Sequence, residues 1–222
     1  DEIKDLTFLS LTNKTLNIPK NVISTGINST SQLNAIKKFI EKNNIGKTIF
    51  LTPIQDYEFE IKTGIKNSKI KIFKSYDYNT EPTQLTKQIE EITNYKIRKQ
   101  NLEDEIYRVK NSNELNKENK IKRLEKRYTL GGLNFDAVVI ADFDESLKSV
   151  STSLIYTDVY PQNKYFITLN QWFNKSLLNE TDIQPLYYPS INKNNFDNYK
   201  KKFFDEFNEY PSHLSLLGYD LV

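Results

Sequence analysis

The run Phe135–Ala141 (FDAVVIA) constrains this chain more than any other stretch. Its apolar residues fall on both faces of an extended strand, so it needs cover on both sides. That is the pattern of a central strand in a parallel sheet flanked by helices. Thr48–Leu51 (TIFL) and Tyr165–Leu169 (YFITL) are of the same kind, and Leu186–Tyr188 reads as a further short strand. Ile70–Phe73 (IKIF) alternates as a strand. Leu6–Leu11 (LTFLSL) and Val22–Thr25 (VIST) read as short buried strands. Between them, apolar residues recur at helical spacing: Leu33, Ile36, Phe39 and Ile40 after the capping Asn28-Ser29-Thr30; Tyr57, Phe59, Ile61 and Ile65; Leu85, Ile89 and Ile92; Leu147, Val150 and Leu154. Gly46 is expected to close the first of these helices. Phe196, Tyr199, Phe203, Phe204 and Phe207 predict an aromatic helix, and Pro211 opens a last one toward Val222. Strand–helix alternation predicts an α/β fold: a Rossmann-like (flavodoxin-like) parallel sheet with helices on both faces.

Residues 96–127 break that rhythm. They read as two charged helices, with Leu102, Ile106 and Val109 on one, Leu115, Ile121 and Leu124 on the other, and Asn111-Ser112-Asn113 between. The stretch holds 11 basic and 6 acidic residues, while the chain as a whole carries a net charge of only +2. The near-neutral total therefore hides a basic helical hairpin on a mildly acidic body. Such a hairpin is either a solvated projection or a contact for an acidic partner or a membrane surface.

Composition excludes several chemistries. Zero cysteine rules out disulfides, thiolate zinc sites and a catalytic thiol. A single histidine, His213, rules out a multi-histidine metal site and argues against a Ser-His-Asp triad. No GxGxxG or Walker loop is present, so no cofactor is expected. Only 4 of the 31 basic residues are arginine, and the charge balance gives no strong field, so nucleic acid is not expected as a partner. No apolar run reaches the length of a membrane span. The absence of methionine marks a chain that is processed or is a piece of something longer.

In open α/β sheets ligands bind beyond the carboxyl ends of the strands. Three such ends carry polar or aromatic groups: Ile49–Leu51 leads to Asp56-Tyr57, Val138–Ala141 to Asp142-Phe143-Asp144, and Phe166–Leu169 to Asn170-Gln171-Trp172. Brought together, carboxylates, amides and aromatic rings suit a small polar ligand. The plainer reading of each is also open: Asp142 or Asp144 as a helix cap, Trp172 as packing, Tyr57 as a helix shield.

The order of five segments resembles the type I periplasmic ligand-binding proteins. Ser24-Thr25-Gly26-Ile27-Asn28 followed by Gln32 is similar to their strand-to-helix crossing. Pro53–Tyr57 sits where that family has a loop with a tyrosine. Phe135–Asp142 resembles the second-lobe strand, and Phe166–Trp172 a strand ending in a tryptophan loop. Phe203–Pro211 and then Gly218-Tyr219-Asp220 resemble the closing segment. The hairpin at 96–127 is similar to an insertion in the branch of penicillin-binding-protein activators, lipoproteins that regulate peptidoglycan synthases.

The resemblance implies a complete second lobe over 28–184, with the hairpin 96–127 inserted, and parts of a first lobe at 1–27 and 185–222. It implies a non-enzymatic, periplasmic, ligand-binding type of domain with no metal. Outer-membrane anchoring would be through a lipidated N-terminus outside this sequence. The first functional reading is an activator-like regulator of peptidoglycan synthesis whose partner is a membrane-anchored synthase. Lys117, Lys120, Lys122, Arg123 and Arg127 are its candidate contacts. The alternative is a solute-binding protein of an ABC transporter, with the permease as partner and a small polar ligand such as an amino acid. The ligand residues carried over are Tyr57, Asp142, Phe143, Asp144, Asn170, Gln171 and Trp172.

Overall fold

Residues 6–11, 18–169, 177 and 179–219 are described by the computed structural model. The central run forms β5 (Ala137–Ile140), fully buried along its length. Val138 and Ile140 face one side of the sheet, and Ala137, Val139 and Ala141 face the other. Its neighbours are β3 (Thr48–Pro53) and β6 (Tyr165–Thr168), paired in parallel as Ile49↔Val138 and Val138↔Phe166. β4 (Lys74–Tyr78) lies outside β3 and β7 (Leu186–Tyr187) outside β6. The five parallel strands run in the order β4-β3-β5-β6-β7. In chain order this is second, first, third, fourth, fifth, the flavodoxin-like arrangement.

Both faces are covered, as the strand pattern demands. On one, α3 (Pro82–Ile92) and α6 (Asp144–Tyr156) bring Leu85, Ile89, Leu147, Val150 and Leu154 onto Ile49, Leu51, Val138, Ile140 and Phe166. On the other, α1 (Ser29–Lys42) and α2 (Glu58–Ser68) bring Leu33, Ile36, Ile40 and Ile61 onto Phe50, Val139 and Ile167. Asn28 caps α1 by accepting from the Ser31 N–H at 2.9 Å. The two helices cross closely at Gly64, where a Cβ would lie 2.9 Å from Ser29 Cβ and 3.1 Å from the Ser29 carbonyl carbon. Gly64→Ala is therefore expected to push α1 off α2 and to cost about 1–3 kcal/mol in urea unfolding. A neutral result would show that the crossing has slack.

Several expectations need correction. The alternating Ile70–Phe73 is not the strand. Ile70 and Ile72 turn back onto the α1–α2 face, and the ladder falls on Lys74–Tyr78. The alternation comes from a loop anchored on the core, while the true edge strand is polar and escapes a hydrophobic pattern. Gly46 does not close α1. Asn44 takes the left-handed position, with φ 51°. Gly46 instead makes room for Asp136, whose Oδ2 would be 2.5 Å from an added Cβ. The first two strands, β1 (Phe8–Ser10) and β2 (Val22–Ser24), pair in parallel but are not buried. Phe8, Leu9 and Ile23 are about half exposed, because these strands form a separate two-stranded sheet. β7 joins the five-stranded sheet beside β6.

The charged segment forms α4 (Tyr95–Lys110) and α5 (Lys117–Leu124), joined through Leu102, Val109 and Leu124, with Ile106, Ile121 and Leu130 packed against them. Leu115 does not belong to this seam. It lies in the connection before α5 and is 95% exposed. Further on, α7 (Lys193–Phe207) carries the aromatic run and α8 (His213–Tyr219) follows it. Among the described residues no helix is long and apolar enough to cross a membrane.

Candidate functional site

The chain leaves β3 for β4 on one side, then crosses back to β5 on the other side of β3. The carboxyl ends of β3 and β5 therefore flank a topological switch point, the place where such sheets bind ligands. Asp142 follows β5 directly and is only 2% exposed. Its carboxylate accepts from the Tyr57 hydroxyl at 2.7 Å, from the Tyr78 and Ser146 hydroxyls, and from the Phe143 N–H at 2.8 Å. Tyr57 is the N-cap residue of α2, Tyr78 ends β4, and Ser146 sits in the first turn of α6. At the end of β6 the Thr168 hydroxyl donates to the Ile140 and Asp142 carbonyls, at 2.9 and 3.2 Å. One buried carboxylate thus gathers the ends of β4 and β5 and the starts of two helices.

Burial and the adjacent Asp142 charge push the phenols of Tyr57 and Tyr78 well above the ordinary tyrosine range. Both remain neutral donors to the carboxylate. Phe143 packs edge-on to Tyr57, with ring centroids 5.6 Å apart. Both rings are half-buried, so they present a partly open aromatic surface at the switch point. Asp144 is exposed and adopts φ 48° at the start of α6. Neither Asp142 nor Asp144 is the N-cap of α6; that residue is Phe143.

Tyr57, Asp142 and Phe143 are therefore brought together, and Asp144 lies beside them on the exposed side. Asn170, Gln171 and Trp172 lie outside the described residues. Tyr78, Ser146 and Thr168 belong to the same cluster and escaped the sequence reading. Tyr78 was hidden by the misplaced strand; the alternation Tyr76-Asp77-Tyr78 at a strand end is the signal that could have found it. A separate concavity of about 540 Å³ lies against β4 and α3, walled by Phe73, Tyr76, Leu133 and Phe135. It opens toward the amino ends of β3 and β5, away from the switch point. Among the described residues no group of acidic or histidine side chains is placed to hold a metal.

The hairpin candidates divide into two sets. Lys120 is engaged within the hairpin, 3.1 Å from Glu114 and 3.3 Å from Glu105. Arg108 pairs with the same two carboxylates, and its hydrogen bonds hold the Glu105 carboxyl down at about 2. Lys117 is half-buried, whereas Lys122, Arg123 and Arg127 are exposed. The hairpin is fastened by Arg98, 6% exposed, which donates to the Thr157 carbonyl at 3.0 Å and the Thr129 hydroxyl at 2.7 Å. Asp158 lies 3.5 Å from the same guanidinium. Burial lowers the Arg98 pKa and Asp158 opposes that.

No protein-family model matches the chain, and no curated protein sequence matches it. Its fold, however, is found among solved structures. A leucine-, isoleucine-, valine-, threonine- and alanine-binding protein from Brucella ovis, in a closed conformation, superposes with a TM-score of 0.59 at 10% identity, over 97% of this chain and 50% of that one. A branched chain amino acid ABC transporter periplasmic ligand-binding protein from Burkholderia xenovorans gives 0.53 at 9% identity, over 87% and 44%. An extracellular ligand-binding receptor from Verminephrobacter eiseniae gives 0.50 at 10% identity, over 90% and 50%. The chain spans about half the length of these proteins. Sheet order, helical cover and these likenesses agree: the chain has the fold of the type I periplasmic binding proteins.

Proposed function

We propose that this chain acts as part of a non-catalytic, periplasmic solute-binding protein that takes a small polar ligand such as an amino acid at the carboxyl ends of β3, β5 and β6. The observation that carries the proposal is the Asp142 network at the switch point, which orders Tyr57 beside Phe143. In this reading the two rings supply contact area, while Asp142 is a positioning residue whose lone pairs serve the protein's own hydroxyls. Asp144 stands on the rim, where a carboxylate suits an ammonium group. Asn170, Gln171 and Trp172, which follow β6, would complete the site. The five-stranded unit would form one lobe, spanning 28–184 together with β7. Residues 1–27 and the remainder of 185–222 would belong to the other, first lobe, and a permease would be the partner.

The amino-acid-binding proteins among the structural likenesses support this reading better than that of a peptidoglycan-synthase activator. The activator reading rests on the basic hairpin, where Lys120 is already neutralised from within.

The test is a thermal-shift panel of the proteinogenic amino acids on the chain. A ligand at a hundredfold excess over Kd stabilises by about 2.7 kcal/mol, a Tm rise of several degrees for a protein of this size. Tyr57→Ala and Phe143→Ala are expected to reduce the affinity for the ligand so identified by about tenfold each. If no amino acid moves the Tm, the amino-acid reading is wrong.

A further inference from the structure

We propose that the exposed cationic surface at the end of α5 binds an anionic phospholipid surface. Four cations fall within six residues there: Lys122, Arg123, Lys126 and Arg127, all exposed. Several of the hairpin's other cations are engaged by carboxylates. Arg108 and Lys120 share Glu105 and Glu114, and Lys110 lies 3.8 Å from Glu125. None of the four side chains makes a hydrogen bond or ion pair among the described residues. Glu125, between Arg123 and Lys126, lies 3.8 Å from Lys110 of the opposite arm, while Glu118 sits on α5 four residues before Lys122.

Charge alone fits any polyanion, and the apolar residues of the hairpin decide among these. Its Leu115, Tyr107 and Tyr128 are 95%, 73% and 70% exposed, more than any other large apolar side chain described. Tyr128 directly follows the cationic run. Lys and Arg heads followed at once by the exposed Tyr128 make the composition of a surface that lies in a lipid interface, headgroups on the cations and the ring at the acyl boundary. The platform is also preorganised. Arg98 fixes the hairpin's base to the end of α6 through Thr157 and Thr129, so little ordering is needed on contact.

The experiment is co-sedimentation of the whole chain with phosphatidylcholine vesicles, with and without phosphatidylglycerol, at low and high salt. Binding is expected only with phosphatidylglycerol and is expected to weaken with salt. Each cation near such a surface is worth about a fivefold change in partitioning, so reversing Lys122, Arg123, Lys126 and Arg127 to Glu together should lower it by more than about a hundredfold. Reversing Lys38, Lys42, Lys66 and Lys71, exposed lysines elsewhere, changes net charge equally and should leave most of the binding. Circular dichroism of both variants confirms that each is folded, and a quadruple Gln variant repeats the loss without added negative charge. Absence of binding to anionic vesicles at low salt, or equal losses in the two Glu variants, overturns the proposal. So does capture of an acidic protein by a chain that ignores vesicles.

Discussion

Asp142→Ala is expected to lower the unfolding free energy by about 3–5 kcal/mol, the largest effect of any single polar substitution in the sheet. The side chain is buried, and three hydroxyls and one N–H donate to its carboxylate. Hydrogen bonds to a charged acceptor contribute about 1.5–3 kcal/mol each, and deleting the acceptor leaves buried donors such as the Tyr78 hydroxyl unpaired. The loss falls short of the sum because removing the carboxylate also removes its desolvation cost. Urea denaturation should show a lower midpoint with an unchanged slope. Asp142→Asn retains one acceptor oxygen and should recover about half of the loss. Tyr78→Phe should cost about 1–2 kcal/mol. A loss below about 1 kcal/mol for Asp142→Ala would show that the hydroxyls find other partners. The proposed ligand would bind the alanine variant more weakly even where it folds, because Tyr57 loses the contact that orients it.

Arg98→Ala is the second large expectation, and its signature is regional. The guanidinium joins α4 to the end of α6 through the Thr157 carbonyl and the Thr129 hydroxyl, with Asp158 at 3.5 Å. The carbonyls at the end of a helix carry partial negative charge, so a buried cation is well placed there. Removing it should cost about 2–4 kcal/mol and leave Asp158 without its cation. Hydrogen exchange should accelerate across α4 and α5 while β3, β5 and β6 keep their protection. Arg98→Lys should not rescue, since a single ammonium cannot span the two acceptors in the guanidinium's planar geometry. Uniform acceleration across the sheet as well would mean that the hairpin and the sheet unfold as one unit.

The sheet was legible in the sequence wherever burial was two-sided. Val138, Val139 and Ile140 announce a central strand because neither face can be wetted, and Phe50 and Ile167 follow the same logic. The edge was not legible: Lys74–Tyr78 has charged residues that hydrophobic patterning ignores, and Ile70–Phe73 offered a false alternation. The candidate site divides in the same way. Tyr57, Asp142 and Phe143 could be found because they follow recognisable strands. Tyr78 could not, since its position depended on the misplaced edge. That Asp142 would be saturated by the protein's own hydroxyls depends on side-chain geometry across 85 residues of chain, which no local pattern encodes. The hairpin's net charge was readable, but its internal quenching at Lys120 was not.

The shift of the outer strand from IKIF to KSYDY bears on how the molecule avoids its own copies. An outer strand of alternating isoleucines would offer unpaired amides beside an apolar surface, the template from which sheets grow between molecules. Lys74 and Asp77 stand on the strand that takes that position, with Lys62 reaching Asp77 at 2.8 Å across it. At the far side β7 is only two residues long, and Pro189 follows almost at once. A charged border on one side and a truncated one on the other disfavour extension of the sheet by a second copy. A single Lys74→Ile substitution should therefore raise aggregation during refolding more than it alters the stability of the native state.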